Sequence, residues 1–580
     1  MLLASHGASD YRILLSDQAS PSEHYAAAQL QETLKSICGA ALPIETVQQH
    51  DLAHAEPRQK AIIVGEGPLL EQLGINLAGY MLGSEGFLIK TVGETLVIAG
   101  GRQRGTMYGV FSFLEDYLGC RWYTPQASYL PYRETIELPD IEDVQRPRLE
   151  CREVHWNPPM DGDWAARRKL NGHFIDLKPH HGGQVKWARF VHTFNLLVPP
   201  SEYFDSHPEY FSEVKGERTA YQSQLCLTNP DVLRISIERV KQWLRDDPAA
   251  NVVSVSQNDW YSPCECVSCR AIDEREGSHS GSVLYFVNQV AEAIEAEFPH
   301  AAICTLAYQY TRKPPKTIRP RPNVIIRLCS IECCFSHPQE QCPRNRSFVE
   351  DIEAWSKICD RIYVWDYVTE FGHYQSPFPN LYSLQPNLRF FLRYGVKGLF
   401  EQGPGTTGEL AELRSYLIAK LLWNPDIDVD ATIDDFLQGY YGQASAPFLR
   451  AYIDLINTRA RDGDFHFHIW TPLNKRFFTP ALVQEATALL RQAETHAENE
   501  TYRRRIELAQ LPIDYVKIVL GQTQGEERRW LISRFFKVAE REGIREIREG
   551  SPMAEFRKNI ATIFNESDSF VSSHEYDNLA

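Results

Sequence analysis

The alternation of apolar and polar positions divides the chain into three stretches. In the first, apolar runs at 60–65, 86–90 and 95–100 predict strands, and 25–37 and 104–115 carry apolar residues at helical spacing. An acidic, proline-containing linker follows at 138–147. From 149 to 410, short apolar runs alternate with amphipathic stretches. Strands are predicted at 150–155, 190–198, 224–227, 252–257, 303–309, 324–328, 361–365 and 398–401, with helices between most of them, as at 283–298, 348–359 and 381–393. Eight strands alternating with helices predict a parallel (β/α)8 TIM-like barrel. Beyond 410 the spacing is helical, at 411–423, 433–441, 480–499, 503–520 and 526–541. The expected α/β architecture is therefore a small α/β domain at 1–145, a barrel at 146–423 and a helical C-terminal region at 424–580. That region either packs on the barrel or forms a homodimer surface, and the polar end at 564–580 is expected to be loose.

Composition narrows the partners. The 580 residues carry a net charge of -16, which argues against nucleic acid or an anionic membrane and for a neutral small-molecule ligand. No run approaches the ~18 apolar residues of a membrane span. The N-terminus shows neither the basic segment nor the long apolar segment of a secretory signal, so a cytoplasmic protein is expected. There are 13 cysteines, and in that compartment they favour metal binding or burial over disulfides. Gly100-Gly101 is not followed by a phosphate-loop pattern, so no nucleotide site is expected.

The candidate chemistry lies at strand ends, where barrels place their active sites. The run at 252–257 stops abruptly at Asn258-Asp259-Trp260: an amide, a carboxylate and an aromatic wall. The same mouth would collect Tyr308, Tyr310, Asp366 and Glu401, with His192 as a further polar contact. Trp260 and Trp365 are candidates for stacking on a sugar ring. Asp366, Glu370 and Glu401 form a second acidic set, able to activate a water. Cys264, Cys266 and Cys269 follow Asp259 closely. With a fourth ligand from Cys329, Cys333, Cys334, His337 or Cys342, they would close a tetrahedral structural zinc site. No H-E-x-x-H set is present, and catalysis is expected to require no cofactor.

Several segments carry a family resemblance. Gly105-Thr106-Met107-Tyr108-Gly109, Phe113-Leu114-Glu115 and Gly119-Cys120-Arg121-Trp122-Tyr123 resemble the small domain preceding the barrel in family 20 hexosaminidases and family 67 α-glucuronidases. His207-Pro208-Glu209-Tyr210-Phe211, Ser256-Gln257-Asn258-Asp259 with its cysteines, and Phe400-Glu401-Gln402-Gly403 are similar to the bacterial "domain of unknown function 4838" family.

The hexosaminidase resemblance implies an exo-acting glycoside hydrolase for terminal β-linked N-acetylhexosamine. In such a retaining reaction the substrate's own 2-acetamido group attacks the anomeric carbon. Asn258 would orient that group, Asp259 would act as general acid and Arg152 would bind sugar hydroxyls. Family 20 enzymes carry Asp-Glu where this chain has Asn-Asp, a departure that favours N-acetylgalactosamine. Two other readings stand beside it. One is an α-glucuronidase-like inverting enzyme using Asp366 and Glu401; the other is a non-catalytic carbohydrate-binding barrel.

Overall fold

The structure, a computed structural model, describes residues 1–48 and 60–563; the end at 564–580 lies outside them. The chain forms two compact units. One comprises Met1–Glu150, Asn157–Gln184 and Glu412–Tyr440; the other comprises Cys151–Trp156, Val185–Ala411 and the chain from Tyr441 onward. Among the described residues, no helix is long and apolar enough to cross a membrane.

The first unit is built on a six-stranded mixed sheet. Its strands are β1 (Arg12–Ser16), β2 (Ile44–Val47), β3 (Ala61–Val64), β4 (Phe87–Val92), β5 (Thr95–Gly100) and β6 (Glu142–Gln145), in the order β6-β4-β5-β3-β1-β2. Helix α1 (Pro21–Cys38) starts on a capping box: the Ser20 hydroxyl accepts from the Glu23 N–H, and the Ser20 N–H donates to the Glu23 carboxylate. Proline at its first turn and Gly39 at φ +80° bound it. Gly101, at the end of β5, packs directly on backbone. A Cβ there would lie 2.2 Å from the Gly83 carbonyl oxygen, so close packing explains this glycine without any phosphate.

A buried carboxylate ties the segments of this unit together. Glu115 lies in a π-helical turn, Phe113–Tyr117. It accepts two bonds from Arg168, at 3.0 and 2.7 Å, and one from Lys420 at 2.7 Å. Burial works to raise its pKa, but the charges of Arg168, Lys420 and Lys169 outweigh it and hold the carboxyl well below its usual range.

The second unit is built on an all-parallel sheet. Its strands are β7 (Cys151–His155), β8 (Val252–Ser254), β9 (Ala302–Ala307), β10 (Val324–Cys329), β11 (Ile362–Tyr367) and β12 (Val396–Gln402), in the order β7-β12-β11-β10-β9-β8. The sheet curls, so that side chains from one face of its strands meet. Cys151, Val252, Ala302, Cys304, Ile325 and Tyr363 form a lower inner layer with Trp187. Above it Leu306, Tyr308 and Cys329 pack with Val191, Ile331 and Trp365. Between the layers the Arg327 guanidinium lies 3.9 Å from the Trp187 ring and 4.2 Å from that of Phe190.

Six of the eight expected strands form; those at 190–198 and 224–227 do not. In their place, side chains supply the hydrogen bonds that a ladder would have made. Residues 186–189 begin to pair with β8 through a bridge at Trp187, Ala188 donating to the Val252 carbonyl and Ser254 to that of Arg189. The Thr193 hydroxyl then takes over: it donates to the Ser254 carbonyl and accepts from the Ser256 N–H. The chain turns into a short helix, Phe194–Leu197. At the second position, the Gln224 carboxamide accepts from the Asn258 N–H and donates to the carbonyls of Asn258 and Trp260.

The Glu115 cluster yields a stability prediction. A carboxyl held below its unfolded value stabilises the fold above pH ~4.3, and this contribution is lost as the pH falls further. Glu115→Gln leaves Arg168 buried without its anion and should cost about 3 kcal/mol. Thermal melts should show a lower midpoint for the variant at pH 7, with the gap to wild type narrowing towards pH 3. Equal midpoints at pH 7 would contradict the role assigned to this cluster.

Candidate active site

Strand β8 gives way to a buried stretch, Val255 to Asn258, before the chain emerges at Asp259. Each polar group on the way is tied down. The Gln257 side chain accepts from the Thr311 hydroxyl, and its carbonyl lies 2.8 Å from His192 Nδ1. The Asn258 carboxamide accepts from the Asn195 N–H and donates to the Asn195 side chain and the Ser223 carbonyl. Asn258 therefore does not reach the cavity. Its amide is spent holding two loops together, which corrects the expectation that it orients a ligand.

Asp259 lies on the wall of a cavity of about 510 Å³. The Tyr308 hydroxyl donates to its carboxylate at 3.1 Å, and Gln309 Nε2 donates in turn to that hydroxyl at 2.9 Å. Burial, followed by the Asp259 charge, pushes the Tyr308 pKa far above its usual value, so the hydroxyl keeps its proton and acts as a donor. His192 and Gln309 both adopt φ +52°, a left-handed conformation unusual for such side chains. Strain of this kind clusters at ligand sites. Because the Gln257 carbonyl can only accept, His192 Nδ1 carries a proton, and Nε2 is left for other partners.

Trp365, Tyr367, Phe371 and Trp470 form the aromatic wall. Trp365 Nε1 donates to the Gln402 side-chain oxygen at 2.7 Å, so Gln402 keeps its NH2 group for other partners. Two lining elements come from the C-terminal part of the chain. The Phe371 N–H donates to the Ile469 carbonyl, fixing the segment that ends in Trp470. Glu549 follows β13 (Glu546–Arg548), which pairs with β14 (Ser551–Pro552), and its N–H donates to the Phe371 carbonyl. Burial, followed by the nearby Asp259 charge, raises the Glu549 pKa above its ordinary value. Two carboxylates thus share one cavity.

Of the residues singled out in the sequence, Asp259, His192, Tyr308 and Trp365 line this cavity, while Arg152, Trp260, Tyr310, Asp366 and Glu401 do not. Strand alternation is the reason for Arg152, Asp366 and Glu401. Inner-layer Tyr363 and cavity-lining Trp365 and Tyr367 share one face of β11, so Asp366 points to the other. The register pairs Asp366 with Glu401 and Tyr367 with Gln402, which makes Gln402 the lining residue of β12. Arg152 alternates with inner-layer Cys151 in the same way. Trp260 is exposed outside the cavity, and Tyr310 packs against Tyr261 and His279.

The outward-facing carboxyls are buried. Asp366 accepts from Ser330 and Gln339, yet burial raises its pKa to about 6. Burial and the Asp366 charge push Glu401 well above its usual value. Burial also raises Glu370 to about 9, against the opposing pull of the Gly372 and Thr471 N–H groups.

The cysteines converge as four. Sγ atoms of Cys226, Cys264, Cys266 and Cys269 all lie within 4.8 Å of one another and are buried. The fourth member is Cys226, from the loop that replaces the third expected strand, and none of the five candidates at 329–342. Glu213 N–H and Arg218 donate to the Cys264 sulfur. Four convergent thiols with N–H donors behind them fit a closed tetrahedral site for zinc.

Glu370 provides a test of these electrostatics. It keeps its proton in the fold up to about pH 9, whereas the unfolded chain releases it near pH ~4.3. The stability it contributes is therefore complete below pH ~4.3 and is lost as the pH rises towards 9. Glu370→Gln should raise the thermal midpoint at pH 8.5 by about 2 °C or more and change it little at pH 4.5. A drop at pH 8.5 would contradict the burial argument.

Residues 122–454 match the family described as domain of unknown function (DUF4838), and residues 6–113 match the N-terminal domain of glycosyl hydrolase family 67. No curated protein matches the chain. Among solved structures, it is similar to a family GH115 4-O-methyl-α-glucuronidase with specificity for decorated arabinogalactans. The TM-score is 0.58 at 12% identity, over 94% of this chain and 77% of the other. It is also similar to a family 89 glycoside hydrolase from Clostridium perfringens in complex with 2-acetamido-1,2-dideoxynojirimycin. There the TM-score is 0.51 at 10% identity, over 93% of this chain and 70% of the other. These likenesses concern the fold. The match across 122–454 covers more than half of the sequence, and the chain belongs to the DUF4838 family.

Proposed function

We propose that the protein is an exo-acting glycoside hydrolase that removes a terminal β-linked N-acetylhexosamine, with N-acetylgalactosamine favoured. The observation that carries this reading is the pair Asp259 and Glu549 on one aromatic-walled cavity at the carboxyl ends of the strands. Aromatic faces suit the apolar face of a pyranose. Among the lining residues there is no Lys or Arg. Two carboxylates and no cation disfavour a uronate, and Asp366 and Glu401 face away from the cavity, which argues against the inverting α-glucuronidase reading. The family 89 glycoside hydrolase of similar fold is in complex with a 2-acetamido ligand.

In the proposed retaining reaction, the acetamide oxygen of the substrate attacks the anomeric carbon as the glycosidic bond breaks. With the one proton of the Asp259 and Glu549 pair on Asp259, this residue, on the strand-end rim, delivers it to the departing oxygen and later takes one from the incoming water. Glu549 accepts from the acetamide N–H, the orienting role first expected of Asn258, and in addition offsets the positive charge that develops there. Tyr308 positions Asp259. His192 Nε2 and the Gln402 NH2 group bind sugar hydroxyls. One observation favours an exchange of roles, with Glu549 as the acid: its raised pKa. No proposed step uses a metal; Cys226, Cys264, Cys266 and Cys269 are proposed to hold a structural zinc that pins the loop after Asp259.

p-Nitrophenol should be released from β-GalNAc and β-GlcNAc glycosides but not from α-glucuronides, with inhibition by a sugar thiazoline. Asp259→Asn and Glu549→Gln should each lower kcat at least ~100-fold. A 2,4-dinitrophenyl leaving group, which needs no proton, should restore much of the activity of Asp259→Asn and little of that of Glu549→Gln. The reverse pattern would exchange the two roles, and wild-type rates in both variants would defeat the proposal. In the first assignment Glu549 must be ionised, so activity should fall on the acid side at a pH above that of an ordinary glutamate, ~4.3.

A further inference from the structure

We infer that Cys334, His337, Cys342 and His466 form a second zinc site, of the Cys2His2 type, that shares no ligand with the four-cysteine cluster. One ligand atom from each residue lies within 4.8 Å of all the others. Cys334 Sγ is 3.4 Å from His337 Nδ1 and 3.3 Å from His466 Nδ1, and Cys342 Sγ is 3.5 Å from His466 Nδ1. With Zn–S near 2.3 Å and Zn–N near 2.05 Å, a tetrahedron has S···N edges of about 3.5 Å. Three of the S···N pairs already stand at the separation a zinc ion would impose.

The surroundings are those of a metal site. His466 Nε2 lies 3.1 Å from the Asp464 carboxylate. That contact places the ring proton on Nε2 and directs the bare Nδ1 lone pair at the two sulfurs, the carboxylate–histidine arrangement that orients metal-bound imidazoles. Backbone bonds hold the two contributing segments in register. Phe335 N–H donates to the Phe467 carbonyl; Ser336 donates to the Phe465 carbonyl and accepts from the Phe467 N–H. The Asn345 side chain pairs with both backbone groups of Cys334. Four protein ligands leave no open position, so the ion is structural. It joins the loop after β10 to the segment ending in Ile469 and Trp470, two residues of the cavity wall. The site stands on its own ligands, whether or not the cavity hydrolyses glycosides.

The test is metal content and coordination in the purified full-length protein. Zinc measured by mass spectrometry should fall by about one equivalent per chain in Cys342→Ser and in His466→Ala, each confirmed as folded by circular dichroism. Cys264→Ser should keep that equivalent. Cobalt added to metal-free Cys264→Ser should give the visible spectrum of a tetrahedral site with two thiolates and two imidazoles. If His466→Ala does not fold, the cobalt spectrum decides alone. Unchanged zinc in folded Cys342→Ser, an octahedral cobalt spectrum, or a disulfide joining Cys334 to Cys342 would each overturn the inference.

Discussion

The Gln224 carboxamide is the contact on which the site most depends. It bonds the backbone of Asn258 on both sides and that of Trp260, so it holds the chain where it leaves β8. Asn258 extends the clamp by engaging Asn195 and Ser223. Buried amides with every partner satisfied fix geometry as firmly as a strand ladder does. Here they replace two strands and leave an exposed carboxylate, Asp259, at a defined point on the rim. His192 reaches the same rim because the backbone turns at its left-handed φ.

Electrostatic environments separate the acidic residues into two groups. Asp259 and Glu549 face a shared cavity and interact across it. Asp366 and Glu401 are paired by register on the opposite face and buried together, and the Asp366 charge adds to the cost of charging Glu401. A proton held in that outer pair stabilises the sheet. A proton held in the inner pair is available to a ligand.

The C-terminal part of the second unit is a working part of the cavity. Trp470 and Glu549 arrive from distant segments and are anchored to the same residue, Phe371, through its N–H and its carbonyl. One loop residue thus sets the position of an aromatic wall and of the second carboxylate.

Much of this was legible in the sequence. Apolar runs and helical spacing located α1, three of the six strands of the first sheet and six of eight strands in the second, because burial imposes local patterns; Arg12–Ser16, Ile44–Val47 and Glu142–Gln145 carry no such run long enough to stand out. The abrupt polar ending after the run at 252–257 marked Asp259, and dense thiol spacing marked the cysteine cluster. What sequence could not decide was direction and distance. A strand-end acid reads the same whichever face it takes, so Glu401 stood out where Gln402 lines the cavity; the inner register of Tyr363 and Trp365 had to be known first. Asn258 looked like a ligand-binding amide because its partners, Asn195 and Ser223, are remote in the chain. Glu549, Trp470, Cys226 and His466 carry no local signal, since only folding brings residues so far apart in sequence to a common point.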